Sequence, residues 1–202
     1  NLADYGGGVY NNGVLQTSDS TISENTADAA GGGVYNSADG TAELSSTEVA
    51  GNTAKGCTGI ANSRELIDRE QEFIPFENIG RGGGLSNDGD LILAFSRVSG
   101  NSASGDARTV EGYVAGGGIH NGLGDVTIVE STIDGNDSSS GGGIANVAGS
   151  ISITNSTIAD NVARAVDGGF CTSRGNGRSF CATIAVSRGP EGGGIYNSAD
   201  GV

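Results

Sequence analysis

Basic residues are scarce in this sequence. Ten Lys and Arg stand against 24 Asp and Glu, Lys55 is the one lysine, and the formal charge at pH 7 is −14. Phosphate binding needs clustered Lys or Arg, so this balance argues against nucleic acid and anionic membrane surfaces as partners. The acidity reads as a solubilising surface, with calcium binding as the alternative; no other cofactor is implied. Histidine is rarer still, with His120 alone, and the three cysteines are Cys57, Cys171 and Cys181. That set and its wide spacing do not make a zinc site, so no metal centre is expected. No apolar run approaches the roughly 18 residues of a membrane span. Also absent are a G-x-S-x-G elbow, a Cys-His pair, a Walker lysine, a G-x-G-x-x-G followed by a helix, and the aspartate of calcium-binding G-G-x-G-x-D repeats. Residue 1 already lies inside a repeat, so a secretion signal is expected only upstream, in a longer precursor.

What is present is glycine, 38 residues of it, without the G-X-Y period of collagen. Apolar residues make up 35% and recur at fixed places, which argues against disorder. Triple glycines begin at Gly6, Gly31, Gly82, Gly116, Gly141 and Gly192, each followed by an aliphatic residue and, two further on, an asparagine. A second series is more rigid: Gly13, Gly40, Gly89, Gly124 and Gly149 each stand twelve residues before Asn25, Asn52, Asn101, Asn136 and Asn161. Within that block the third residue before the asparagine is Ile22, Val49, Val98, Ile133 or Ile158, and a Ser or Thr stands two before it.

Short pieces of period-two alternation mean strands with one buried face. Each repeat is too short to bury that face alone, and stacking its copies buries it continuously. The fold class expected is all-β: a right-handed parallel β-helix, or β-solenoid, with three short strands in a basic coil of about 25 residues. The first strand carries Val9, Val34, Leu85, Ile119, Ile144 and Ile195 inward; the second surrounds Ile128; the third is the "STI" segment. Asn11, Asn36, Asn87, Asn121, Asn146 and Asn197 then stack in one column, and Asn25, Asn52, Asn101, Asn136 and Asn161 in another. Asparagine tolerates the left-handed conformation, bonds its own turn and forms amide ladders, so both columns read as structural.

These motifs resemble the GGA-(I/L/V) and F-x-x-N repeats of the chlamydial polymorphic outer-membrane proteins. Gly-Gly-Gly-(Val/Ile/Leu) takes the first role, and "ISEN", "VAGN", "VSGN", "IDGN" and "IADN", from Ile22 to Asn161, take the second. Glycine replaces the alanine and Ile or Val replaces the phenylalanine, so the chain is more similar to the broad group of bacterial secreted right-handed β-helix repeat proteins. That resemblance implies an extracellular or cell-surface location. The group includes adhesins, surface fibres and some polysaccharide-active enzymes, so the resemblance bears on fold more than on function.

Residues 1–202 read as one solenoid segment of a longer array, with inserted loops at 53–81 and 162–191. A short helix is expected near 63–72, opened by Asn62 and Glu65. In the second insertion, Cys171 and Cys181 bracket a Gly-Asn-Gly turn and read, in an exported protein, as a disulfide-closed hairpin, with free thiols as the alternative. Cys57 is left over, to pair with a loop cysteine or with another chain. Tyr10, Tyr35, His120 and Tyr196 share one outward column, read as surface packing or as a platform for sugar rings. Glu43, Glu48 and Arg97 are the only outward cluster that suggests catalysis. The leading functional reading is a non-catalytic stalk, fibre or adhesive surface. Its partners are glycans or a cell surface, and other copies or flanking repeats end to end. The alternatives are a polysaccharide-active enzyme and a carbohydrate-binding module.

Overall fold

The computed structural model describes residues 1–56, 80–104, 116–164, 169–174, 178–183 and 192–197. The described residues form strands and corners and contain no helix; the expected helix near 63–72 lies outside them. Leu2–Tyr5, Val9–Asn11, Val14–Ser18 and Thr21–Ser23 each begin a separate parallel sheet. The chain then revisits the four sheets in the same order, adding one strand to each and pairing parallel and in register, apart from one shift between Ala3 and Tyr5 in the first pair. The result is a β-solenoid. A separate antiparallel hairpin joins Gly169–Arg174 to Arg178–Thr183.

The core follows from the register. Ile22, Val49, Val98, Ile133 and Ile158 are partners on successive strands of the fourth sheet. Val9, Val34, Leu85, Ile119, Ile144 and Ile195 are partners in the second. Together with Leu44, Leu91, Leu93, Val126 and Ile128 from the third sheet, the central members of these columns form one buried cluster. Each fully buried aliphatic side chain contributes about 1.5–3 kcal/mol.

Four sheets, rather than the expected three strands per repeat, line this core. The extra sheet is Leu2–Tyr5, Thr26–Ala30, Thr53–Ala54, Ser102–Ala103, Asp137–Ser138 and Val162–Ala163. Its inward residues are small, with Ala27 and Ala54 fully buried and Ala103 and Ser138 nearly so. The glycine triads pass directly against the backbone of this sheet, which leaves them no room for a side chain. A Cβ on Gly32 would stand 2.6 Å from the backbone of Thr53 and 2.3 Å from the carbonyl oxygen of Gly83. Gly31, just before it, turns the corner at φ +65°, a conformation that glycine adopts without penalty. The same finding moves the insertion boundaries. Thr53–Ala54 and Val162–Ala163 are strands of the stack, and the N–H groups of Gly80 and Arg81 bond Ser104 and Ala29.

The corner between the third and fourth sheets is more strained. Asp19, Ser46, Phe95, Glu130 and Asn155 occupy it in successive repeats with φ between 46° and 52°. At the following corner Glu24 and Asp160 take the place that Gly51, Gly100 and Gly135 hold elsewhere. A side chain in this left-handed region costs about 1–2 kcal/mol, offset here by corner N–H groups that bond the next strand. Ser46 N–H, for example, donates to Ala94 O at 3.0 Å.

Candidate functional site

The two asparagine columns run as amide ladders. In one, each side-chain Nδ2 donates to the Oδ1 of the next rung, through Asn1, Asn25, Asn52, Asn101, Asn136 and Asn161, at 2.9–3.0 Å. The backbone N–H of Asn25, Asn52, Asn101 and Asn136 reaches the same forward oxygen, so that atom must be the carbonyl. Each Nδ2 from Asn52 onward also donates backward, to Ile22, Val49, Val98 and Ile133 O. These amides thus use both donors and load the oxygen twice. The other ladder joins Asn11, Asn36, Asn87, Asn121, Asn146 and Asn197 at 2.7–2.9 Å. Nδ2 of Asn36, Asn87 and Asn121 also caps the corner carbonyl of Gly40, Gly89 and Gly124. Buried at every rung but Asn1, Asn161 and Asn197, these amides spend their polar atoms on one another and on the corners, and so hold the stack together.

Outward carboxylates are dispersed. Glu43 stands on the third sheet, beside Gln16, whose Nε2 donates to it at 3.2 Å. Glu48 and Arg97 are register partners on the fourth sheet, 3.7 Å apart at their charged ends. Arg97 is gripped instead by Asp134, which the sequence reading missed. Its Nε donates to Oδ1 at 3.0 Å and its Nη2 to Oδ2 at 2.5 Å. The hydrogen bond and charge of Asp134 hold the guanidinium still further toward its charged form. All three groups are exposed enough that such pairing adds little stability. A guanidinium already neutralised by a forked carboxylate is a poor electrophile for a substrate, and Glu43 lies on another sheet. Among the described residues, no group of three or more His, Cys, Asp or Glu is placed to hold a metal ion. No described helix is long and apolar enough to cross a membrane.

The tyrosines behave differently. Tyr10 and Tyr35 are register partners, and their rings stack with centroids 5.4 Å apart at 25°. Tyr5, from the first sheet, meets Tyr35 edge-on at 5.2 Å and 61°. Asp88 completes the group by accepting the Tyr35 hydroxyl at 2.7 Å. Burial, and then the Asp88 hydrogen bond and charge, raise the Tyr35 pKa well above its ordinary value, so the hydroxyl remains a donor. Tyr5 and Tyr10 are half exposed, so the cluster pairs open aromatic surface with a fixed carboxylate. Neither Tyr5 nor Asp88 was found from sequence. Asp88 directly follows ladder Asn87, where other repeats carry Asn12, Ser37, Gly122 and Val147, and that break was the available signal.

The rest of the column does not join them. Ser86 separates Tyr35 from His120, and Ala145 separates His120 from Tyr196. His120 is 5% exposed and so offers no open platform. Its Nδ1 is buried and has no hydrogen-bond partner among the described residues. Burial first, and the charge of Arg81 second, push its pKa down to about 3, leaving the imidazole neutral.

Cys171 and Cys181 are directly opposed partners in the antiparallel hairpin. Cys57 lies outside the described residues. Comparison with protein-family models, with curated proteins and with solved structures finds no match to this chain.

Proposed function

We propose that this chain is a non-catalytic structural or adhesive β-solenoid, working outside the cell or on its surface as a stalk, fibre or filament segment. The observation that carries the reading is the fate of the repeated polar residues. The asparagines that define the repeats are consumed in internal ladders, and the outward Arg97 is neutralised by Asp134. In its finer form the proposal is a right-handed solenoid with a basic coil of about 25 residues that stacks on flanking repeats or on other copies. It also includes a disulfide between Cys171 and Cys181. Their placement as opposed residues of an antiparallel pair suits the short Cα separation a disulfide needs. The proposal needs no cofactor. It is tested by incubating the protein with neutral and acidic polysaccharides and measuring new reducing ends. None is expected above background, and turnover that Glu48→Gln abolishes would replace this reading with that of an enzyme.

A second reading, a carbohydrate-binding surface, is favoured by the Tyr5–Tyr10–Tyr35–Asp88 cluster. Exposed rings supply apolar faces for sugar C–H groups, and Asp88 supplies an acceptor for sugar hydroxyls. Titration with neutral gluco- and galacto-oligosaccharides tests it: binding should appear, and should be lost in Tyr10→Ala.

A further inference from the structure

The sequence contains the triplet Asn-x-Ser/Thr twice, at Asn136-Asp137-Ser138 and at Asn155-Ser156-Thr157. Such a triplet accepts an N-linked glycan when it stands on the surface of an exported protein. Transfer uses the side-chain nitrogen of the asparagine and the hydroxyl two residues on, so both groups must be within reach of an enzyme. The fold separates the two triplets on that ground.

Asn136 is a fully buried rung of the first amide ladder. Its Nδ2 spends both hydrogens, on Asn161 Oδ1 at 2.9 Å and on Val98 O at 3.0 Å. Ser138 is buried as well, and its hydroxyl donates to Ser140 O at 2.7 Å. Neither group can be reached without breaking the stack.

Asn155 differs at each point. It occupies the corner between the third and fourth sheets at φ 51° and is exposed. Among the described residues, its side-chain amide and the Thr157 hydroxyl make no hydrogen bond. Thr157 opens its strand as an exposed residue, and Ser156 between the two turns its hydroxyl back to Thr154 O at 2.8 Å. Stacking does not cover this corner. Ser46, Phe95 and Glu130 hold it in repeats paired on both sides, and all three are exposed. Nor does the backbone require asparagine here, since Asp19, Ser46, Phe95 and Glu130 adopt the same left-handed conformation.

We propose that Asn155 is the acceptor of an N-linked glycan and that Asn136, whose triplet also fits, is not. In the transfer, Nδ2 of Asn155 forms a bond to the anomeric carbon of a lipid-diphosphate-linked oligosaccharide. The bond from that carbon to the diphosphate oxygen breaks, Nδ2 gives up one proton, and the lipid diphosphate leaves. The proposal rests on the extracellular reading, because such glycans are carried by exported proteins.

The site itself is tested by incubating the folded full chain with a lipid-diphosphate-linked oligosaccharide and an oligosaccharyltransferase that accepts any Asn-x-Ser/Thr. Synthetic peptides of residues 132–142 and 151–161 serve as comparison substrates. Peptide mass spectrometry should find the glycan on both synthetic peptides but only on Asn155 of the folded chain. Asn155→Asp, the residue that Asp19 supplies at the equivalent corner, and Thr157→Ala should each abolish transfer with an unchanged circular-dichroism spectrum. Thr157→Ser should retain it. The proposal is overturned if the folded chain takes no glycan at Asn155 while the peptide does, or if Asn136 is modified as readily. Chain recovered from outside its own cells should carry the glycan on Asn155. A bare Asn155 there overturns the proposal and leaves the stalk reading standing, whereas recovery of the chain from the cytoplasm overturns the location on which both rest.

Discussion

His120 should make the fold sensitive to mild acid. It is the one histidine of the chain, and burial first, then the charge of Arg81, holds its pKa down to about 3 from an ordinary 6.5. The folded protein therefore keeps the imidazole neutral while the unfolded chain protonates it below about 6.5. Because the unfolded state binds the extra proton, stability falls as pH drops from about 6.5 toward 3, and levels off below that. Each unit is about 1.36 kcal/mol, so lowering the pH to 5 should remove about 2 kcal/mol through this residue alone. Carboxylates contribute over the same range, so the measurement must be a difference. His120→Ala suits it, since the next strand places Ala145 in the same column. Urea unfolding of both proteins at pH 7.5 and pH 5 gives two pH effects, and the unaltered protein should lose about 2 kcal/mol more than the variant. Any cavity the substitution leaves is present at both pH values and cancels. Equal losses, or a native-state imidazole titrating near 6.5 by NMR, would refute the argument.

Three further outcomes follow from the ladders and corners. Asn101→Ala should cost about 3 kcal/mol or more in urea unfolding, because it strands the Asn52 N–H and Nδ2 donors and the Val49 carbonyl in a buried site. Ile133→Ala, at a fully buried position, should cost about 2–5 kcal/mol by the same measurement, and Ile133→Asp should prevent cooperative folding. Phe95→Asn should raise the melting temperature slightly, because Phe95 is 60% exposed at φ 52°, where asparagine is better tolerated.

The parts of this fold most legible in the sequence are those where a side chain is bulky or irreplaceable. The twelve-residue interval from Gly124 to Asn136 carries Val126, Ile128 and Ile133 inward, so the third and fourth sheets declare themselves by their aliphatic spacing. The first sheet does not, because its inward residues are Ala27, Ala54, Ala103 and Ser138, too small to register as a hydrophobic period. The glycines that pass against the backbone of this sheet lie far from it in sequence, a relation that no local pattern contains. The outward sites fail for a related reason. Arg97 meets Asp134 at a separation of 37 residues, and Tyr35 meets Asp88 at 53. Neither separation belongs to the repeat alone, since an interval of irregular length intervenes. His120 reads as a surface residue in the sequence because its phase is outward, yet it is buried.

The second asparagine ladder has a consequence for how such a chain can be altered. Its rungs are spaced 25, 51, 34, 25 and 51 residues apart in sequence, yet every hydrogen bond closes at 2.7–2.9 Å. The stack is thus indifferent to how much chain lies between one rung and the next, provided that the chain returns. Closing a loop of doubled length costs only about 0.6 kcal/mol, less than one well-placed amide contributes. The molecule behaves as a chassis whose alignment is kept by the asparagines and whose cargo is negotiable. A foreign peptide spliced between Gly56 and Gly80 would be carried by the same rungs, which makes this acidic rod a starting point for display of grafted segments at set intervals along one axis.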